Sequence, residues 1–242
     1  MQKLERHDLQ WCLRRAPKIV LELMKRQGPT VVVAGGYIRA CIARETVNDI
    51  DLFCPTKELA EALAIELAGG KEKMHTTDNA YTIRSASRVP IQFIHRWTYP
   101  TPESLLSSFD FTVACAAFWW DGTQWQSLCH NRFYADLAGK RLHYLAPNRN
   151  EDAGGSILRV LKFYQKEYRI PVDSLGAVIA RLMRDVDLER LPERRELGLE
   201  GAIAKVVTGL LREVDPDIDP THIAHLPSEN TENEQEDQAA TV

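Results

Sequence analysis

The chain has 242 residues, of which 44% are hydrophobic and 26% are charged, and its formal net charge is -4. This composition is ordinary for a globular protein and excludes a fibrous or largely disordered chain. Proteins that bind a long nucleic-acid duplex usually carry an excess of basic residues, because phosphate neutralisation supplies most of the affinity. The mild negative charge therefore argues against an extensive nucleic-acid-binding surface.

The cysteines and the hydropathy pattern narrow the class of protein further. Five cysteines are spread along the chain without a CxxC pair, so no zinc or redox motif is present. No apolar stretch reaches the roughly 20 residues of a membrane helix, and residues 1–10 are too polar for a secretory signal. We therefore expect a cytoplasmic protein with reduced thiols and no membrane contact.

The first 53 residues are predicted to form a helix interrupted at Pro17, a strand, a glycine turn, a short helix and a second strand. The ranges, in that order, are Leu9–Met24, Thr30–Ala34, Gly35–Gly36, Tyr37–Arg44 and Val47–Phe53. This strand, turn, helix and strand order is typical of an α/β protein.

A helix, two strands, a short helix and a further pair of strands are predicted next. The ranges are Lys57–Ala68, Tyr81–Ser85, Val89–His95, Pro102–Ser107, Phe111–Trp119 and Thr123–Leu128. Phe111–Trp119 lacks polar alternation, which favours a strand buried on both faces. Beyond residue 152 the pattern is helical, at Ile157–Tyr168, Asp173–Val186 and Leu197–Val214. We thus expect a mixed α/β head with an N-terminal helix at 1–148 and a helical domain at 149–226.

The last segment, 227–242, carries five acidic residues, no basic residue and almost no large apolar side chains. Such a composition does not bury enough apolar surface to offset the entropy of ordering. We predict a disordered acidic tail.

Asp49 and Asp51 are two residues apart on a predicted strand, so their side chains should share one face. Magnesium is commonly held by one or two carboxylates together with substrate phosphates. A pair of ions so held activates an attacking hydroxyl and stabilises leaving pyrophosphate, which is the chemistry of nucleotidyl transfer. An isolated pair of this kind is more often two solvated carboxylates at a strand edge.

The glycine turn, Gly35-Gly36, gives the carboxylate pair a context. It joins a strand to a helix, and the free N–H groups at a helix N-terminus bind phosphate oxygens. Asp is also disfavoured in strands, so two aspartates at a strand centre favour a functional explanation. Together the two features predict a site for a nucleoside triphosphate with magnesium.

Three segments resemble the DNA polymerase β superfamily of nucleotidyltransferases, in particular its branch of CCA-adding enzymes and bacterial poly(A) polymerases. They are VVVAGGYIR at 31–39 with NDIDLF at 48–53, then DFTVACA at 110–116, and ILRVLKF at 157–163. The segments follow the family's order, although Ala40, Ser108 and Phe109 replace an aspartate and two arginines of its motifs. No counterpart of the family's nucleotide-selecting motif, Glu-Asp-x-x-Arg, is present.

The resemblance implies a nucleotidyltransferase head with a small mixed sheet, followed by a helical neck. It implies two Mg²⁺ ions on Asp49 and Asp51, a nucleoside triphosphate such as ATP as donor, and an RNA or tRNA 3′ end as an acceptor. A third carboxylate is common in the superfamily, but Gln92 stands where it is expected. Asp110 is the remaining candidate for a catalytic carboxylate, with a structural role as its alternative.

Basic residues near these motifs are candidates for binding the donor together with Gly35 and Gly36. Arg39 follows the turn and either contacts a phosphate or forms a salt bridge with Glu45. Arg159 and Lys162 share a helix face with Lys166, and that face either contacts phosphate or is simply solvated.

We expect transfer of a nucleoside monophosphate to an acceptor hydroxyl. The acceptor is an RNA end, a protein or a small molecule, and the sequence does not choose among them. The alternative is a catalytically degenerate member that binds a nucleotide or a partner, which Ala40, Gln92 and the missing arginines favour.

Overall fold

The structure is a computed structural model of the chain and describes residues 1–84, 86–147, 154–184, 186–187, 189–191 and 194–214. The chain divides into two compact units, Met1–Gly139 and Lys140–Val242. The predicted tail at 227–242 lies outside the described residues.

The described residues contain helices and strands with the following bounds. The helices are α1 (Arg6–Arg15), α2 (Lys18–Gln27), α3 (Gly36–Ala43), α4 (Lys57–Ala68), α5 (Pro102–Leu106), α6 (Phe133–Ala138), α7 (Gly155–Gln165), α8 (Val172–Met183) and α9 (Arg194–Val214). The strands are β1 (Val32–Ala34), β2 (Ile50–Phe53), β3 (His75–Thr76), β4 (Ala80–Ile83), β5 (Ile91–Ile94), β6 (Ala116–Trp120) and β7 (Trp125–Cys129).

The first unit is built on one mixed sheet in the order β3-β4-β5-β2-β1-β6-β7. β2 and β5 run parallel, and the other neighbouring strands run antiparallel. Leu52 and Phe93 are paired across β2 and β5 and are fully buried. Asp51 and Gln92, one residue earlier on each strand, are paired on the opposite face and are half-buried. The expectation of a mixed α/β fold is thus confirmed.

The N-terminal region forms two helices because Pro17 separates α1 from α2. α1 packs against α3 through two hydrogen bonds that join side chains to backbone. Tyr37 Oη donates to the carbonyl of Cys12 at 2.8 Å, and Trp11 Nε1 donates to the carbonyl of Cys41 at 3.1 Å. These contacts hold α3 in place at the end of β1.

The predicted strand at Phe111–Trp119 is wrong in its first half. Thr112–Ala114 forms a 3₁₀ turn, and the strand begins only at Ala116. The Thr112 hydroxyl donates to Asp136 Oδ2 at 2.7 Å, and both residues are buried. Because this bond joins residues 24 positions apart, local β propensity does not reveal it.

Other boundaries also differ from the prediction. The strand expected at Val47–Phe53 begins at Ile50, so Asp49 lies immediately before it. β3 and α6 were not predicted, since each is too short to show a clear hydrophobic period.

The second unit contains α7, α8 and α9, which pack against one another in pairs. α9 is kinked at Gly198, whose φ of 71° is not helical. An isolated β-bridge joins Arg141 to Arg169, and Lys140 Nζ pairs with Glu167 Oε2 at 2.6 Å. In the described part of the chain, no helix has the length and apolar character needed to cross a membrane.

Candidate functional site

The antiparallel pairing of β1 with β2 brings the glycine turn to the carboxylate pair. Val33 lies opposite Leu52, so β1 ends where β2 begins. A β-carbon placed on Gly35 would lie 4.0 Å from Asp51 Oδ2. Gly35 and Asp51, which are 16 positions apart in the sequence, thus meet where β1 ends and β2 begins.

Gly35 has a conformation that side chains rarely adopt, with φ of 86° and ψ of -135°. Its N–H donates to the carbonyl of Ala116 at 3.0 Å and is therefore used within the sheet. The N–H groups of Gly36, Tyr37 and Ile38 form the first turn of α3, where no carbonyl lies four residues back in the helix. These three groups, rather than that of Gly35, are suited to receive an anion.

The carboxylate pair lies at the start of β2. Both aspartates are half-buried, and the residues that flank Asp51, Ile50 and Leu52, are fully buried. Ile50 N also donates to the carbonyl of Pro90 at 2.9 Å, and this bond extends the pairing of β2 with β5 to the residue before β5. The strand is therefore anchored by apolar residues that alternate with the aspartates.

Gln92 is the direct neighbour of Asp51 on β5, and Thr82 of β4 is the direct neighbour of Gln92. Residues opposite each other in a sheet share a face, so an amide and a hydroxyl extend the polar surface away from Asp51. The place beside Asp51 is thus occupied by an uncharged side chain.

Arg39 forms an ion pair within the first unit. Its Nε lies 3.1 Å from Glu45 Oε2, and the residue is 8% exposed. Its two terminal nitrogens lie 3.9 Å from the position that a β-carbon on Gly36 would occupy. The guanidinium therefore lies against the glycine turn while it binds Glu45, and a phosphate contact from Arg39 stays a prediction.

Asp110 is 3% exposed and precedes the 3₁₀ turn at Thr112–Ala114. Among the described residues, no group of three or more His, Cys, Asp or Glu side chains is arranged to hold a metal ion. The structure thus does not gather Asp49, Asp51 and Asp110 into such a group.

Two buried cysteines lie on chain segments next to the site. Burial raises the pKa of the Cys54 thiol, which follows β2, to about 12. Burial also raises the pKa of Cys115, which precedes β6, to about 12. Both thiols are therefore protonated at physiological pH, which makes them poor nucleophiles.

The basic residues predicted to contact phosphate from the helical region lie on α7 of the second unit. Arg159 and Lys162 are both half-buried. The Arg159 guanidinium folds back along its helix, with Nη2 3.4 Å from the position that a β-carbon on Gly155 would occupy. Their contact with phosphate stays a prediction.

Phe109 is a residue of this site that the sequence did not single out as functional. Its ring touches the glycine turn on the same side as Asp51. Its one sequence signal is that it stands where the resembling family has an arginine.

The donor atoms present suit magnesium. The carboxylate pair offers hard oxygen ligands, and the turn is left open because a β-carbon on Gly35 would reach into the space between Asp51 and Phe109. One or two protein carboxylates, completed by phosphate oxygens, form an adequate magnesium site.

Solved structures of CCA-adding enzymes share this fold. A Thermotoga maritima CCA-adding enzyme complexed with tRNA matches with a TM-score of 0.55 at 19% identity, over 91% of this chain and 58% of that chain. A CCA-adding enzyme complexed with ATP matches with a TM-score of 0.56 at 18% identity, over 91% of this chain and 59% of that chain. The nucleotidyltransferase-like fold expected from the sequence is therefore confirmed.

The sequence matches name a family of their own and not specifically the CCA-adding and poly(A) polymerase branch. Gabija anti-defense 2 of Bacillus phage SPbetaL7 is 26% identical over 151 residues, which are 62% of this chain and 36% of that protein. This chain thus spans little more than a third of that relative's length. Since the profile of the Gabija anti-defense 2 family matches residues 3–140, more than half of the sequence, the chain belongs to that family.

Proposed function

We propose that this chain is a magnesium-dependent nucleotidyltransferase that transfers a nucleoside monophosphate from a nucleoside triphosphate to an acceptor hydroxyl. The observation that carries the proposal is the meeting of the glycine turn with Asp51, whose Oδ2 lies 4.0 Å from the position that a β-carbon on Gly35 would occupy. An anion-binding helix end next to the Asp51 carboxylate, with Asp49 two residues earlier in the chain, suits a triphosphate with its magnesium.

In this proposal, Asp49 and Asp51 hold the magnesium, and the N–H groups of Gly36, Tyr37 and Ile38 bind the phosphates. When bound, magnesium neutralises phosphate charge and lowers the pKa of a coordinated hydroxyl. The positive end of the α3 dipole adds to the attraction for the triphosphate. These contacts would hold the triphosphate so that an acceptor hydroxyl attacks the α-phosphate and pyrophosphate leaves.

The family name suggests where the acceptor comes from. The relative from Bacillus phage SPbetaL7 is described as Gabija anti-defense 2. We propose that this chain also acts against Gabija, by nucleotidylating a protein or RNA on which that defence depends. An RNA or tRNA 3′ end remains the acceptor that the fold's CCA-adding relatives suggest.

Incubation with labelled triphosphates tests the transfer and identifies the acceptor class. Each triphosphate, labelled at the α-phosphate, is incubated with the full chain, Mg²⁺ or Mn²⁺, and lysate from cells that carry Gabija. Label in protein or in RNA supports the transfer, and absence of label from protein, from RNA and from any new small-molecule product contradicts it.

Alanine substitutions at Asp49 and Asp51 test the role of the carboxylate pair in transfer, and a substitution at a distant aspartate is their control. Asp49→Ala and Asp51→Ala should abolish transfer while preserving the fold, because each removes a metal ligand and relieves repulsion in the empty site. Asp78→Ala, at an exposed residue between β3 and β4, should retain full transfer. Wild-type activity in either site variant would disprove the assigned role of the pair.

A second candidate function is a degenerate member that counters Gabija by binding a nucleotide or a partner. Gln92 favours it, because an amide stands beside Asp51 where the superfamily supplies a carboxylate. Expression in Gabija-carrying bacteria before phage infection separates the two functions. If Asp51→Ala protects the phage as well as the wild type does, binding alone suffices. Loss of protection in that variant supports catalysis.

A further inference from the structure

Phe109 is a half-buried aromatic residue that lies against the glycine turn. Its Cε1 and Cζ atoms lie 3.2 and 3.5 Å from the position that a β-carbon on Gly35 would occupy. Asp51 Oδ2 lies 4.0 Å from the same position. The Phe109 ring and the Asp51 carboxylate therefore both lie next to the same side of Gly35.

Phe53 supports this ring from the sheet. The centroids of the two rings lie 6.3 Å apart with an interplanar angle of 65°, which is an edge-to-face contact. Phe53 follows Asp51 by two positions on β2, so both side chains project from the same face. The two rings thus form an apolar wall next to the Asp51 carboxylate.

The degree of burial separates this pair from the core aromatics. Phe93, Phe111 and Phe118 are fully buried. Phe53 and Phe109 instead remain half-buried beside a charged group. Exposed ring surface is unfavourable in water, and a ligand with an apolar part close to an anionic part would cover it.

We infer that Phe109 packs against the ribose of the donor nucleotide and thereby positions its α-phosphate, an inference that rests on the proposed function. The α-phosphate is the phosphate joined directly to the nucleoside, through the 5′ oxygen. With the α-phosphate on the turn, a ring that lies against the turn reaches the sugar before it reaches the base. Contact with the sugar carbons does not depend on which base the donor carries.

Binding measurements on the full chain test this role without requiring turnover. Calorimetry in the presence of Mg²⁺ compares ATP, CTP and inorganic tripolyphosphate as ligands. Phe109→Ala should weaken the binding of ATP and CTP alike, by about tenfold, because a ring contact is lost. It should leave the affinity for tripolyphosphate unchanged, and Phe109→Tyr, which keeps the ring, should bind all three ligands like the wild type.

Trp125→Ala provides the matched control. Trp125 is also half-buried and makes an edge contact with Trp120, at 5.3 Å and 69°, but on the hairpin at the end of the sheet order. This variant should melt earlier and bind every ligand normally. If it loses nucleotide affinity as Phe109→Ala does, general destabilisation explains the loss and the inference fails.

The remaining outcomes separate the inference from the proposed function. If Phe109→Ala binds ATP and CTP like the wild type, or weakens tripolyphosphate equally, the ribose contact is disproved while nucleotide binding stands. If the wild type binds neither nucleotide nor tripolyphosphate, the proposed function fails and the inference fails with it.

Discussion

Gly35 is the residue whose lack of a side chain matters most at the site. Its positive φ alone should make Gly35→Ala cost roughly 1–3 kcal/mol of folding stability. The added β-carbon would also press on Phe109 at 3.2 Å and stand 4.0 Å from Asp51 Oδ2. We therefore expect Gly35→Ala to lose stability in urea denaturation and also to lose nucleotide binding.

Gly122→Ala is the control for backbone strain. Gly122 has φ of +105°, but no atom lies within 4 Å of the position of its β-carbon. This variant should lose stability and keep nucleotide affinity. If Gly35→Ala and Gly122→Ala bind the nucleotide with equal affinity, the space beside Gly35 has no part in nucleotide binding.

Gln92 permits a test of the carboxylate site that does not depend on activity. Gln92→Glu places a third negative charge beside Asp51, its direct neighbour across β2 and β5. Without metal, like-charge repulsion should lower the melting temperature at neutral pH. Magnesium should restore it, because a cation offsets the repulsion. The rise in melting temperature on adding Mg²⁺ should thus exceed that of the wild type.

Gln10→Glu, at an exposed position on α1, adds the same charge far from these strands in the sequence. It should show the wild-type response to Mg²⁺. If the melting temperature of Gln92→Glu rises on adding Mg²⁺ by no more than that of Gln10→Glu, metal does not bind next to Asp51. A gain in transfer by Gln92→Glu would indicate that the missing carboxylate limits the natural activity.

At the scale of elements, hydrogen bonds to the buried Asp136 hold the 3₁₀ turn at Thr112–Ala114 against α6. Asp136 Oδ2 accepts a hydrogen bond from Thr112 Oγ1 at 2.7 Å. Arg132 also donates to both carboxylate oxygens of Asp136, from Nε to Oδ2 and from Nη2 to Oδ1, each at 3.2 Å. Asp136→Ala leaves the buried Thr112 hydroxyl without this acceptor, which should cost about 1–3 kcal/mol. The measurement is the midpoint of urea denaturation.

Glu66→Gln serves as the comparison for that network. Glu66 pairs with Arg26 on the surface, where both side chains are more than half exposed. Exposed pairs contribute little to stability, so this variant should unfold like the wild type. An unchanged midpoint in Asp136→Ala would mean that the turn at Thr112–Ala114 does not depend on α6.

Local signals account for the elements that the sequence predicted well. α4 spans Lys57–Ala68 as expected, because the Thr56 side chain accepts from Leu59 N at its start and Gly69 adopts φ of 73° at its end. The turn at Gly35-Gly36 and the break at Pro17 also lie where their residues predicted them. Each of these signals acts within a few residues of the chain.

At the scale of the whole molecule, composition predicts the behaviour of 227–242. Deletion of this segment should change neither the melting temperature nor transfer, because it lacks the apolar side chains needed to anchor it. Calorimetric melting and the labelling assay on the shortened chain check this. A large drop in melting temperature would mean that the segment is docked.

The sequence by itself determined the mixed α/β character, the order of the main elements and the spacing of Asp49 and Asp51, since periodicity, caps and turns are local properties. Only the tertiary structure decided which of these residues meet. The antiparallel pairing of β1 with β2 brings Gly35 to Asp51, and parallel pairing brings Gln92 beside Asp51. Strand register and the packing of Phe109 on Gly35 arise from long-range contacts, and no short stretch of sequence encodes them.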